Sequence, residues 1–268
     1  MEQTLPQGRL TIVGLGPGKR DLMAPRAVQA IQECDLVIGY RGYIEQIRDL
    51  ITSKEVHESE LTHEIERATL AARLARAGRC VCIVSSGDAG IYGMAGLVLD
   101  MLHSHQAEPG VEETSSAHID NVSEPLVEIV PGISALNASA ALLGAPLMHD
   151  FAVISLSDLL TPWEVIARRL SAAAAADFVV VLYNPSSKRR TWQLGEAQRL
   201  LLQSRSATTP VGLVRNAYRS GQKVWMTTLE KLHNEAVDMF TTVVIGNSCT
   251  KIRMNHMVTP RGYDRKGE

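Results

Sequence analysis

The chain has 268 residues, 45% apolar and 21% charged, with a formal net charge of −2 and no long biased stretch. That length suits one large or two small α/β domains with a sizeable core, and the near-zero charge argues against a general nucleic-acid binder, which carries a strong basic excess. No apolar stretch reaches the roughly 18 residues of a membrane-spanning helix. The N-terminal Met-Glu-Gln-Thr-Leu-Pro-Gln-Gly lacks the basic and apolar regions of a signal peptide. The four cysteines (Cys34, Cys80, Cys82, Cys249) form neither a CxxC pair nor a His/Cys cluster. No disulfide framework and no metal site is expected, and the cytoplasm is the natural compartment.

In chain order, 9–13 reads as a short buried strand stopped by glycines, 24–34 as a helix with Pro25 at a tolerated early position, and 36–38 as a second strand. An Ala- and Arg-rich helix over 61–77 stops at Gly78. A strand over 79–84, a helix over 94–102, a strand over 127–130 and a helix over 133–143 follow. Strands alternating with helices imply a mostly parallel sheet covered on both faces. The second half predicts a strand over 151–156, a helix over 163–176, a very apolar strand over 178–183, a helix over 191–203 and a strand over 211–215. Strands over 223–227 and 241–245 flank one short helix, 229–237, which implies a mixed sheet. The polar, acidic run 103–125 reads as a surface loop or disordered insertion. The expected domains are 1–147 and 148–255, followed by a loose tail, 256–268.

Three glycine-bearing segments each follow a strand. Gly14-Leu15-Gly16-Pro17-Gly18-Lys19 fails the dinucleotide fingerprint, which needs glycine at 19. It also fails the P-loop, because Val13 and Arg20 stand where glycine and Ser/Thr are required. Ser85-Ser86-Gly87-Asp88-Ala89-Gly90-Ile91-Tyr92-Gly93 adds a carboxylate, and Val130-Pro131-Gly132-Ile133-Ser134-Ala135 adds a possible helix cap at Ser134. A tight turn would account for any one of them. Together they describe a backbone-lined pocket for a flat or nucleoside-like ligand, since such sheets bind ligands beyond the carboxyl ends of their strands.

These three segments resemble the tetrapyrrole methylase family, and the resemblance extends from about residue 9 to residue 250. Gly39-Tyr40, Tyr43-Ile44, the run 138–147, His149-Asp150-Phe151, Ile154 to Trp163 and Leu182-Tyr183-Asn184-Pro185-Ser186-Ser187 resemble the branch that methylates C17 of precorrin-3B or its cobalt form. Lys19 departs from the Asp usual after Gly-Pro-Gly in the family.

The resemblance implies two α/β domains, a mostly parallel N-terminal sheet and a mixed C-terminal one, with the cofactor in the cleft between them. It implies methyl transfer from S-adenosylmethionine, leaving S-adenosylhomocysteine, with ring contraction on the route to cobalamin, by a homodimer; the charge and the lack of a long apolar stretch lead us to expect neither a nucleic-acid nor a membrane partner. Cofactor contacts would include Pro17, Gly87, Asp88, Ile91, Ser134, Ala135, Tyr183, Asn184 and Ala217. The substrate's carboxylates call for cations near strand ends, and Arg41, Lys188, Arg189, Arg190, Arg215 and Arg219 are the candidates, with 188–190 read as opening a helix. No general acid or base is assigned; Asp88, His57, His63 and His149 are the candidates. The alternatives are another tetrapyrrole methylase, such as a uroporphyrinogen-III methyltransferase, or a non-catalytic tetrapyrrole carrier.

Overall fold

The computed structural model describes residues 7–103 and 124–262. The acidic run expected to be a loop lies, from 104 to 123, outside the described residues. The chain divides into two compact units, Met1–Ser134 and Ala135–Glu268.

In the first unit, β1 (Arg9–Gly14), α1 (Pro25–Glu33), β2 (Leu36–Tyr40), the single turn α2 (Arg41–Ile44), β3 (Glu55–Ser59), α3 (Glu64–Arg76), β4 (Cys80–Ser85), α4 (Ala95–His103) and β5 (Leu126–Val130) follow in order. The strands form one parallel sheet in the order β3-β2-β4-β1-β5. Its central strands are largely apolar and buried because both faces are covered. The two-residue period of the strand sorts their side chains. Leu10, Ile12, Ile38, Val81 and Ile83 pack with α3 and α4, while Val13, Val37, Cys82 and Val84 pack with α1 and Ile44. Strand β3 was not expected from its sequence. Glu-Val-His-Glu-Ser is an edge strand that pairs on one side only and buries little.

In the second unit, α5 (Ala135–Leu143), β6 (Gly144–Ala145), β7 (Phe151–Ser155), α6 (Trp163–Ala175), β8 (Val179–Tyr183), α7 (Gln193–Leu201), β9 (Pro210–Arg215), β10 (Lys223–Thr228), β11 (Thr241–Ile245), β12 (Lys251–Arg253) and β13 (His256–Val258) follow. Five strands form a mixed sheet in the order β10-β9-β11-β8-β7. Strands β7 and β8 are parallel, and β11 runs antiparallel to both β8 and β9. The carboxyl ends of β7, β8 and β9 therefore share one edge. One face packs Ile154, Leu182, Leu213 and Ile245 against α6 and α7; the other packs Val181, Val214 and Val244 against Leu136 and Leu143 of α5. The helix after Pro131-Gly132 thus belongs to the second sheet.

Two expectations change here. The short helix over 229–237 is a 3-10 segment, Leu229–Asn234. The loose tail does not begin at 256, because β13 pairs with β12 and β6 and completely buries Met257 and Thr259. An apolar side chain that the sequence shows in isolation is here the plug of a three-stranded ribbon.

Candidate active site

The order β4-β1-β5 makes neighbours of the three glycine segments, since each leaves the carboxyl end of one of these parallel strands. They interlock through backbone. The Gly16 and Gly87 amides each donate to the other residue's carbonyl, at 3.0 and 2.8 Å, with both glycines at positive φ (75° and 65°), a conformation glycine adopts without penalty. A Cβ added at Gly132 would lie 2.1 Å from the Gly87 carbonyl oxygen and 2.7 Å from that of Gly14. No residue other than glycine fits at 132 unless the backbone moves.

Asp88 ties the same junction. Its Oδ1 accepts from the Gly90 amide at 2.8 Å and its Oδ2 from the Gly132 amide at 3.0 Å. Hydrogen bonds to an ionised carboxylate are the stronger kind, so a residue singled out as a ligand contact or general base also sets the relative position of two glycine loops. Pro17, Gly87 and Ser134 are buried beside it, while Ile91 and Ile133 stand 37% and 40% exposed.

At the shared edge of β7, β8 and β9 the second unit presents its own constellation. The Leu136 amide, in the first turn of α5, donates to Tyr183 Oη at 2.7 Å, satisfying one of the donors that a helix start leaves open. Tyr183 and Ala217 pack on the same apolar cluster as Leu136. Asn184 and Asn216 directly follow β8 and β9, each with φ of 50°. Asparagine tolerates this left-handed conformation better than most residues. Asn184 Nδ2 donates to Ser155 Oγ at 3.0 Å, linking the turns after β7 and β8.

The candidate cations have different surroundings. Arg41 is paired with Glu60 at 2.9 Å and Glu58 at 3.5 Å. Arg215 is paired with Asp238 at 2.8 Å on the wall of a cavity of about 440 Å³ that Lys223 and Trp225 also line. Burial pushes the Asp238 carboxyl up, but hydrogen bonds from Arg215, Thr241 and the Phe240 amide outweigh it and hold the group below its ordinary value. Lys188 and Arg189 are exposed and form no ion pair among the described residues. With Arg190 they lie in a tight turn, closed by reciprocal amide–carbonyl bonds between Ser187 and Arg190. The run does not open a helix, because α7 begins only at Gln193. Burial lowers the basicity of the Arg190 guanidinium, only partly offset by the Asp158 charge, and its Nη1 is buried without a partner among the described residues.

The histidines sit elsewhere. His57 lies in edge strand β3, bonded to Glu55 at 2.7 Å, and His63 precedes α3, bonded to Glu66 at 2.8 Å. His149 precedes β7, at the sheet edge opposite the one bearing Asn184. His149 is exposed and the other two are partly exposed. Three residues of this neighbourhood were not among the site candidates: Ser155, Asp158 and Gln193. The first two lie in the run Ile154 to Trp163 that carries the resemblance, and nothing local to Gln193 signals its bond to Asp158.

A family model described as tetrapyrrole (corrin/porphyrin) methylases matches residues 9–233. The chain belongs to the tetrapyrrole methylase family. It is 50% identical over 97% of its length to a cobalt-factor III methyltransferase of Priestia megaterium, although it spans only 46% of that protein. It is 45% identical to a probable cobalt-factor III C(17)-methyltransferase of Salmonella typhimurium, over 95% of this chain and 99% of the relative. The crystal structure of the methyltransferase CobJ superposes with a TM-score of 0.83 at 34% identity, covering 94% of this chain and all of that one. Among the described residues of this tetrapyrrole methylase, no helix is long and apolar enough to cross a membrane. No group of three or more His, Cys, Asp or Glu side chains suited to a metal ion occurs among them either.

Proposed function

We propose that this chain is an S-adenosylmethionine-dependent C-methyltransferase of corrin synthesis that methylates C17 of a tetrapyrrole of the precorrin-3B type, with ring contraction, and that its substrate carries cobalt. The observation that carries this reading is the end-to-end match to the Salmonella relative, whose length the chain covers almost entirely. The cobalt-bearing substrate is favoured because both curated relatives described above are named for cobalt-factor III.

The loop junction of the first unit fits a nucleoside-bearing methyl donor. Its rim is backbone and small side chains, closed to any Cβ at Gly14 or Gly132, and it carries exposed apolar surface at Ile91 and Ile133 suited to a flat base. Pro17, Gly87, Asp88, Ile91 and Ser134 would hold the donor there, and the second unit offers Ala135, Tyr183, Asn184 and Ala217 as its own candidate contacts. When bound, the donor's sulfonium supplies a methyl group that is already activated, so the protein's task is to bring methyl and ring carbon into line. Asp88 serves that task by keeping the Gly90 and Gly132 segments in register. Lys188, Arg189 and Arg190 serve it by meeting the carboxylates of the macrocycle.

Incubation with cobalt-factor III and isotopically labelled S-adenosylmethionine, followed by mass spectrometry and NMR of the product, tests the reading. One labelled methyl at C17 of a contracted ring is the expected product. Transfer to another tetrapyrrole but not to this one would overturn the C17 assignment.

A further inference from the structure

The loop that joins β7 to α6 carries two adjacent leucines, Leu159 and Leu160, that are 79% and 93% exposed. Single exposed leucines are ordinary, but contiguous apolar surface on a soluble protein marks a place where something binds. The base of the loop is firmly held. The Ser157 amide donates to Ser155 Oγ at 3.2 Å, the same oxygen that accepts from Asn184. Asp158 Oδ2 accepts from Gln193 Nε2 at 2.9 Å, and Gln193 is only 2% exposed. Trp163, at the start of α6, meets Trp192, just before α7, edge to face at 4.8 Å. The leucines thus project from a braced loop.

That loop stands beside the basic turn. The two leave the carboxyl ends of β7 and β8, which are adjacent parallel strands, and neighbouring strands are only about 4.8 Å apart. Exposed apolar surface therefore lies next to Lys188, Arg189 and the Arg190 Nη1, which has no partner among the described residues. A ligand complementary to both has a flat apolar body and an anionic rim.

We propose that Leu159 and Leu160 are specificity-determining contacts for the apolar face of the tetrapyrrole macrocycle, held by Asp158 and Gln193 beside the cationic turn that takes its carboxylates. The proposal rests on the tetrapyrrole reading above. Both side chains lie in water, so Leu159→Ala/Leu160→Ala should leave the urea-unfolding midpoint unchanged. The Kd for cobalt-factor III, followed by quenching of tryptophan fluorescence, should rise at least about tenfold, the loss expected when two leucines that cover part of the ring face are cut back to alanine, and KM should rise with it. Affinity for S-adenosylmethionine, by calorimetry, should not change. Asp158→Ala, which releases the loop with its leucines intact, should also raise KM. Wild-type protein that binds cobalt-factor III, alongside a double variant that binds it equally well, would overturn the proposal. A double variant that altered only self-association in sedimentation would also overturn it, assigning the leucines to a second copy of the chain. Wild-type protein that bound no tetrapyrrole would remove the functional reading and this proposal together, an outcome visible before any variant is made.

Discussion

Replacing Gly132 by alanine tests whether the loop junction is as closely fitted as its geometry implies. The added Cβ would meet the Gly87 carbonyl oxygen at 2.1 Å and the Gly14 carbonyl oxygen and carbon at 2.7 and 2.8 Å. All three are main-chain atoms, so no rotamer change relieves the contact, and one loop must retreat by about 1 Å to restore ordinary van der Waals separation. Such overpacking costs about 1–3 kcal/mol. The retreat also stretches the bond from the Gly132 amide to Asp88 Oδ2, worth about 1.5–3 kcal/mol as a bond to a charged acceptor. The stiffer unfolded chain returns about 0.4–1 kcal/mol, leaving a net loss of about 1.5–5.5 kcal/mol. Urea unfolding should show that loss, and calorimetry should show S-adenosylmethionine binding weakened by at least tenfold. Gly96→Ala in α4 is the matched control, because its Cβ would meet nothing within 4 Å, and alanine there should stabilise the helix by at most about 1 kcal/mol. Wild-type stability and donor affinity in Gly132→Ala would refute the reasoning, since they would mean that the three loops adjust freely.

Asp88→Asn leaves one of the two amide donors facing an NH2 group and should cost about 1.5–3 kcal/mol in urea unfolding, with weaker binding of the methyl donor; an unchanged midpoint would count against the clamp. Tyr183→Phe removes the acceptor of the Leu136 amide and should lower stability by about 1–3 kcal/mol, readable by the same method. Because the Asp238 carboxyl is held below its ordinary value in the folded chain, its contribution is present above the unfolded carboxylate value of about 3.9 and fades as pH falls through the lower folded value. The stability gap between wild type and Asp238→Asn should therefore be constant at neutral pH and narrow in acid; a gap that widened in acid would reverse the assignment. Lys188→Ala/Arg189→Ala/Arg190→Ala should weaken cobalt-factor III binding and flatten its dependence on salt, because the screened charges are gone, while leaving S-adenosylmethionine affinity intact.

Much of the fold follows from local pattern. The run Leu-Thr-Ile-Val can be buried on both faces only in the middle of a sheet, and β1 lies there. The Ala- and Arg-rich stretch before Gly78 forms α3, and each glycine segment follows a strand because a turn must leave the sheet there. Local pattern is silent on which strands become neighbours. That Gly14, Gly87 and Gly132 touch depends on the order β4-β1-β5, a pairing among segments far apart in the chain, and no residue near Gly132 signals that it meets Gly14. The polar edge strand β3 and the β12–β13 ribbon were hidden for a related reason. A strand paired on one side, or packed through a single methionine, lacks the alternation that marks a half-buried strand. The charges divide in the same way. Arg41, Arg215, Lys188 and Arg189 look alike as sequence, and only tertiary structure sets Glu60 and Asp238 against the first two while leaving the last two in water, because a carboxylate neutralises a guanidinium by its distance in space and not by its distance along the chain.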